Sequence, residues 1–237
     1  MPDNETRTVE IDVISDVMCP WCYIGKKNLE AAARALEGVE LRINWRPFQL
    51  DPTLPPEGKD RARYLEEKFG GSEKATAIYE RVNQAGHAAG IDFAFDAISV
   101  SPNTLDAHRL IRWAGGIDEQ TQQKVVDRLF ELYFLEGGSI GDTRLLSAIA
   151  EDAGMDGAVV RELLATDRDR EAVQQEIATA QKMGVTGVPC FILDRRLAVM
   201  GAQPPEILVQ AIRQAANEPA PAAGNVANDN TGNGMSN

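Results

Sequence analysis

Two cysteines separated by two residues are the strongest chemical signal in the chain. The run Cys19-Pro20-Trp21-Cys22 follows an alternating segment, residues 9–15, that predicts a strand, and it precedes a helical pattern. Cysteines three positions apart in the first turn of a helix bring their sulfur atoms within disulfide reach. The free N–H groups and the dipole at a helix N-terminus favour a thiolate over a thiol. The motif therefore predicts thiol–disulfide exchange.

The two cysteines are expected to differ in role. We expect Cys19 to be the nucleophile, an accessible thiol with a lowered pKa at the turn. Cys22, one turn further into the helix, is expected to be the shielded thiol that resolves the mixed disulfide. Pro20 suits helix entry because its missing N–H has no helical partner there. Trp21 is expected to place an aromatic ring beside the reactive sulfur.

Two other interpretations of the cysteine pair are open. A zinc half-site would need two further ligands, and only Cys190, His87 and His108 remain, none of which forms a second close pair. No metal is therefore expected. The second alternative is that both cysteines are buried and unreactive. The position of the motif between a strand and a helix would then be a coincidence.

A second signal lies far away, in the run Gly-Val-Thr-Gly-Val-Pro at 184–189, which joins a predicted helix to a predicted strand. A proline just before a strand suits a cis X-Pro turn. Such a loop can face the start of the cysteine helix, where the main chain of Val188 could pair with an extended substrate peptide. An ordinary trans proline at a strand edge is the alternative. We predict that the Val188–Pro189 bond is cis and lies beside the cysteine turn.

The elements that must position these residues follow an α/β pattern with a helical segment inserted into it. Strand, helix and strand fill the first part, and two short strands around a turn at 194–196 and a closing helix fill the last part. The middle is almost wholly helical apart from an extended connection at 91–99. The candidate helices there are 59–69, 72–89, 103–114, 118–136, 142–153 and 156–165, followed by 169–183. We expect a first part at 8–50, a helical insertion at 51–166, a second part at 167–216 and a disordered Gly/Asn-rich tail at 217–237.

With these residues in place, the chain resembles the DsbA-like thioredoxin family, and more closely its cytoplasmic FrnE-like branch. The resemblance runs from residue 9 to about residue 215. The segments that carry it are SDVMCPWCYIGKKNLE at 15–30, WRPFQLDPTLPPEGKDRARYLEEKFG at 45–70, NTLDAHRLIRWA at 103–114, LEGGSIGD at 135–142, GVTGVP at 184–189 and GAQPPEIL at 201–208. It implies a thioredoxin fold with a large inserted α-helical subdomain. It also implies dithiol–disulfide oxidoreductase or isomerase activity, with Cys19 and Cys22 as the redox pair and Val188-Pro189 as the cis-proline loop.

The chain departs from the family pattern at two positions. Several thioredoxin-fold oxidoreductases carry a buried carboxylate six residues before the first cysteine, where this chain has Val13. The proton acceptor for Cys22 is therefore open, with Asp16 or water as candidates. Cys190 stands after the proline, where an aromatic or aliphatic residue is expected.

Cys190 and His108 each have a structural and a functional interpretation. Cys190 is either a small buried hydrophobe with a raised pKa or a third thiol that points at the cysteine turn and competes with Cys22. We favour burial, which is the commoner fate of a free cysteine. His108 is either a polar residue packed at a helix interface, which we favour, or part of the lining of a cleft between the two subdomains.

Charge and composition narrow the partners. The 237 residues include 36 acidic and 24 basic side chains, for a net charge of −12, which argues against nucleic acid and against a polybasic membrane anchor. No run of about eighteen apolar residues is present, so no membrane partner is expected. The N-terminus lacks the features of a secretory signal, so we expect a cytoplasmic protein. The oligomeric state is open, with a homodimer as one option.

The expected activity is a thiol–disulfide oxidoreductase acting on disulfide-containing proteins or small thiol compounds. No cofactor is expected beyond the redox-active disulfide, and glutathione is kept open as a co-substrate. One alternative is a glutathione-dependent isomerase or transferase of related architecture, although those relatives use a serine where Cys19 stands. The other is a non-enzymatic, chaperone-like binding module, which leaves the cysteine motif unexplained.

Overall fold

The computed structural model describes residues 7–217, which form one mixed α/β structure. Its elements in chain order are β1 (Arg7–Ser15), α1 (Pro20–Arg34), β2 (Val39–Pro47), β3 (Lys59–Asp60), α2 (Arg61–Phe69), α3 (Ser72–Ala88), β4 (Val100–Ser101), α4 (Leu105–Gly115), α5 (Glu119–Phe134), α6 (Thr143–Asp152), α7 (Gly157–Leu164), α8 (Arg170–Lys182), β5 (Cys190–Leu193), β6 (Leu197–Met200) and α9 (Pro205–Asn217). The α/β layout with helices inserted between β2 and β5 confirms the predicted architecture.

The main sheet has the strand order β2-β1-β5-β6. Strands β1 and β2 are parallel and are joined through α1, whereas β5 runs antiparallel to β1 and β6 antiparallel to β5. The two-residue strands β3 and β4 pair separately at the edge of the helical segment. The end of β1 is therefore a central position, and the cysteine turn that follows it lies next to the start of β5.

Alternation along the paired strands decides which face each side chain takes. Val13 pairs with Phe191, and both belong to the main core. Ile14 pairs with Cys190, and these two belong to a smaller apolar cluster together with Phe48. Because successive strand residues point to opposite faces, Cys190 lies on the other side of the sheet from the core that contains Cys19 and Cys22.

The inserted helices are tied to α1 by aromatic stacking and a buried ion pair. The ring of Tyr23 in α1 stacks on Phe130 of α5 with 5.0 Å between the ring centroids. Lys26 is buried and forms ion pairs with Glu30 of its own helix and Asp127 of α5. These contacts pack the first two turns of α1 against α5.

The structure refines several predicted boundaries. The connection predicted as extended at 91–99 contains a 3₁₀ turn at Phe95–Ala97, after which β4 begins. Helix α9 extends to Asn217, and the predicted disordered tail otherwise lies outside the described residues. The division into a first part, an insertion and a second part stays a prediction. No helix within residues 7–217 is long and apolar enough to cross a membrane.

Candidate active site

The cysteine motif forms the turn between β1 and α1. Cys19 occupies the N-cap position, Pro20 is the first helical residue, and Cys22 completes the first turn. The carbonyl of Asp16 accepts the N–H of Cys19 at 2.9 Å, and the carbonyl of Cys19 accepts the N–H of Cys22 at 3.0 Å. Both cysteines are free thiols. The predicted placement of the pair at a helix N-terminus is confirmed.

The prediction that the Cys19 thiol is accessible is wrong. Cys19 is only 4% exposed, because the loop before β5 lies against it and the carbonyl oxygen of Val188 is 4.0 Å from its Sγ. Its side chain also accepts no capping hydrogen bond from the helix N–H groups, and the thiol contacts the Val188 carbonyl instead. Trp21 is the exposed member of the motif, at 38%.

Cys22 is the more deeply buried thiol of the pair, as predicted. Burial raises the pKa of Cys22 well above its ordinary value, and the sulfur of Cys19 raises this pKa further by hydrogen bonding and by its charge. The Ser15 hydroxyl and the main-chain N–H of Asp16 act in the opposite direction and lower the pKa, with smaller effects. Burial and the neighbouring Cys19 sulfur therefore both favour the protonated form of Cys22.

The Val188–Pro189 peptide bond is cis and lies beside the cysteine turn, as predicted. The close approach depends on Gly25 in α1. A Cβ atom at Gly25 would lie 2.7 Å from Cγ of Pro189 and 3.2 Å from the ring of Phe191. Only a residue without a side chain lets this helix pack directly on the proline loop.

Asp16 and His108 are brought together by the fold. Asp16 is fully buried, and its carboxylate accepts the N–H of Leu50 at 2.8 Å and lies 3.4 Å from Nε2 of His108. His108 is also buried, in α4, and borders a cavity of about 290 Å³ behind β2. Because the main chain of Asp16 also contacts both cysteines, this buried pair lies directly behind the redox motif.

Cys190 does not join the redox pair. It is 1% exposed and packs with Ile14, Phe48, Ala180 and Val185 on the opposite face of the sheet. Burial raises the pKa of Cys190, and no other group contributes to that shift. The buried position that the sequence favoured is confirmed.

Two residues that shape the site, Ser15 and Gly25, were not predicted from the sequence. Ser15 precedes the motif as an ordinary strand residue. Gly25 did carry a signal, because a glycine inside a helix costs about 1 kcal/mol relative to alanine and often marks a packing constraint. Within residues 7–217, no group of three or more His, Cys, Asp or Glu side chains is placed to hold a metal ion.

Comparison with known proteins places this arrangement in a family. The model of the DSBA-like thioredoxin domain matches residues 10–213. A crystal structure of a probable DsbA oxidoreductase from Streptomyces coelicolor is 31% identical, with a TM-score of 0.81 over 92% of this chain and 94% of that one. The uncharacterised protein YwbO of Bacillus subtilis is 27% identical over 86% of this chain and 96% of its own length. The chain belongs to the DSBA-like thioredoxin domain family.

More distant structures share the fold. The cytosolic disulfide reductase DsbM from Pseudomonas aeruginosa, solved with GSH, is 18% identical with a TM-score of 0.59, covering 86% of this chain and 99% of that one. The fold is thus a DsbA-like thioredoxin fold with inserted helices, as the sequence predicted. The narrower FrnE-like assignment stays a prediction.

Proposed function

We propose that this protein is a dithiol–disulfide oxidoreductase that uses Cys19 and Cys22 to reduce disulfides of proteins or small thiol compounds. The observation that carries the proposal is the geometry at the start of α1. Two buried thiols lie in this turn, and the one at the N-cap, Cys19, faces the Val188–Pro189 loop, with the Val188 carbonyl 4.0 Å from its Sγ. The family supports the same chemistry, since its DsbA-like members are thiol–disulfide oxidoreductases or isomerases.

The reaction proceeds in two exchanges. The Cys19 thiolate attacks one sulfur of the substrate disulfide, so that a Cys19–substrate disulfide forms and the other substrate sulfur leaves as a thiolate. Cys22 then loses its proton and attacks Cys19 Sγ, which forms the Cys19–Cys22 disulfide and releases the second substrate thiolate. Two electrons pass from the enzyme dithiol to the substrate. A low-molecular-weight thiol such as glutathione returns the enzyme to the dithiol form and is itself oxidised.

The Val188–Pro189 loop and Trp21 are proposed to bind the substrate. The Val188 carbonyl beside Cys19 is placed to accept a main-chain N–H from an extended substrate segment. Trp21 offers an exposed aromatic surface next to the same sulfur. Because the loop before β5 buries Cys19, the substrate must displace part of that loop to reach the sulfur.

The proton of Cys22 is proposed to pass to Asp16. The raised pKa of Cys22 means that the resolving step needs an acceptor, and the Asp16 carboxylate is buried behind the motif beside His108. The position six residues before Cys19, where several thioredoxin-fold enzymes carry such a carboxylate, is the apolar Val13. Asp16 thus replaces it from a different point on the chain.

The compartment and partners follow from the same proposal. A reducing cytoplasm keeps the pair in the dithiol form that this reaction needs, and the acidic surface disfavours nucleic acid. The substrates are then disulfide-containing proteins or small disulfides, with a homodimer as one option for the assembly.

Reduction of insulin by the purified protein, with glutathione as electron donor, tests the proposal. The wild-type protein is expected to accelerate insulin reduction, and a Cys19→Ser variant is not. Glutathione conjugation or isomerisation of an aromatic substrate without insulin reduction would instead support the glutathione-dependent alternative and contradict the proposal.

A further inference from the structure

A second cavity, of about 600 Å³, lies in the helical segment between α2, α3 and the connection around residues 93–99. Its walls are largely apolar and aromatic. The side chains that form them include Leu65, Ala75, Tyr79, Phe93, Phe95 and Ile98. Arg61, the first residue of α2, also lines the cavity.

The guanidinium of Arg61 is buried without an anionic partner. Arg61 is 6% exposed, and its Nη1 donates to the hydroxyl of Tyr133 at 3.1 Å. Its Nη2 has no hydrogen-bond partner, and no carboxylate within residues 7–217 forms an ion pair with it. The guanidinium instead stacks over the rings of Tyr79 and Phe95, 5.0 and 5.6 Å from their centroids. A buried cation with an unsatisfied donor is costly unless an anion compensates for it.

The cavity borders the cysteine turn through two aromatic residues. Phe93 in its wall contacts the ring of Tyr23, which directly follows Cys22, in an edge-to-face arrangement with 6.1 Å between centroids. Tyr23 thus connects the cavity wall to the start of α1, where Cys19 and Cys22 lie.

The rim of the cavity limits the charge of its ligand. Asp60, Glu66, Glu80 and Asp96 also line it, so a polyanion would be repelled. The aromatic walls favour a flat apolar group, and the single buried cation favours one carboxylate.

We propose that this cavity is a substrate subsite for a flat apolar or aromatic group that carries one carboxylate, with Arg61 as the residue that binds the carboxylate. The inference rests on the proposed function, because it places this group on a small disulfide whose sulfur is attacked by Cys19. The carboxylate accepts the unused Nη2 donor, and the ring packs against Tyr79, Phe93 and Phe95.

Two aromatic disulfides test the proposal. Dithiobis(nitrobenzoate) carries a carboxylate on each ring, whereas dithiodipyridine carries none, and both release a coloured thiol. Arg61→Gln is expected to lower the rate constant for dithiobis(nitrobenzoate) by roughly tenfold, the effect of one charge-assisted hydrogen bond, and to leave that for dithiodipyridine nearly unchanged. Arg63→Gln is the matched control, because Arg63 lies in the same helix, is 74% exposed and pairs with Glu67. The control is expected to change neither rate.

A variant that blocks the cavity covers the case in which Arg61→Gln does not fold, as judged by circular dichroism. Thr76 lies on an exposed part of α3 and lines the cavity, whereas its neighbour Ala77 is exposed and does not. Thr76→Phe is expected to slow the reaction with dithiobis(nitrobenzoate), and Ala77→Phe is not. In the Cys19→Ser protein, nitrobenzoate is expected to bind in a calorimetric titration and nitrobenzamide is not.

The outcomes separate this inference from the proposed function. If the wild-type protein reacts with neither disulfide at Cys19, the proposed function fails. If both disulfides react, and the Arg61 and Thr76 variants leave their rate ratio unchanged and nitrobenzoate does not bind, the subsite is refuted while the oxidoreductase proposal stands.

Discussion

The two cysteine-bearing segments of this protein, the first turn of α1 and the start of β5, both bury their thiols almost completely. Their surroundings differ. The sulfur of Cys22 is surrounded by another thiol, a hydroxyl and a main-chain N–H, whereas Cys190 packs only among apolar side chains on the opposite face of the sheet. Burial alone raises the pKa of Cys190, while several polar neighbours act on Cys22. Because burial does not distinguish the two segments, we expect their reactivity to differ through their polar neighbours and the helix N-terminus.

Removing the nucleophile is expected to have the largest effect. Cys19→Ser should lower insulin reduction by roughly a thousandfold or more, because a serine hydroxyl is not a nucleophile at neutral pH without an activating base. Cys190→Ser is the matched control in the other segment and should retain most of the activity. Loss of activity in the Cys190 variant, with its melting temperature unchanged, would contradict the division between the two segments.

The resolving thiol gives the next largest effect. In a Cys22→Ser protein, the Cys19–substrate disulfide should accumulate, because the second exchange has no attacking sulfur. In the wild-type protein, the raised pKa of Cys22 means that its thiolate is scarce near neutral pH. Since Asp16 is proposed to take up this proton, the rate of the second exchange should change little with pH near neutrality and should rise only at higher pH, where hydroxide also deprotonates Cys22.

Rapid mixing of a Cys19–glutathione mixed disulfide at a series of pH values measures this rate. A rate that rises about tenfold per pH unit across the neutral range would show that hydroxide, and not Asp16, removes the proton from Cys22.

A smaller effect is expected from the carboxylate behind the motif. Asp16→Asn preserves the shape of the side chain but removes its capacity to take up a proton. The second exchange should slow by roughly tenfold near neutral pH and approach the wild-type rate at high pH, where hydroxide deprotonates Cys22. Asp12→Asn is the control, since Asp12 lies in β1 four residues before Asp16 and pairs instead with Arg46 of β2. An equal slowing at all pH values would identify Asp16 as a purely structural residue.

The smallest expected effect is the change in the free energy of unfolding when Cys190 is replaced. Cys190→Ala should cost about 1–2 kcal/mol at neutral pH through lost packing. The raised pKa of Cys190 means that its contribution is fully present below the ordinary value of 9.0 and is lost as the pH rises towards the folded-state pKa, because the unfolded thiol ionises first. Urea unfolding should show the difference between wild type and variant narrowing above that pH. A difference that widens there would contradict the sign.

Many features of the two cysteine-bearing segments could be predicted from the sequence. The spacing of Cys19 and Cys22 before a helical pattern, and Pro189 before a strand, indicate chemistry through local rules that hold wherever the chain folds. The burial of Cys190 could be predicted because most free cysteines are buried. The face of the sheet on which Cys190 lies could not, because that depends on its pairing with Ile14.

The remaining features depend on contacts between distant parts of the chain. The sequence predicted that the loop around Val188 lies beside the cysteine turn, but not that the loop covers Cys19 closely enough to bury it. The meeting of Asp16 with His108 joins the end of β1 to α4. Arg61 looks like a solvated helix residue until Tyr79, Phe95 and Tyr133 are seen around it.

The most direct test of the account is to locate the mixed disulfide. The fully reduced Cys22→Ser protein is incubated with glutathione disulfide, the remaining thiols are alkylated after unfolding, and the peptides are analysed by mass spectrometry. We predict glutathione on Cys19 and an alkylated Cys190 that carries no glutathione. Glutathione on Cys190, or on neither cysteine, would contradict it.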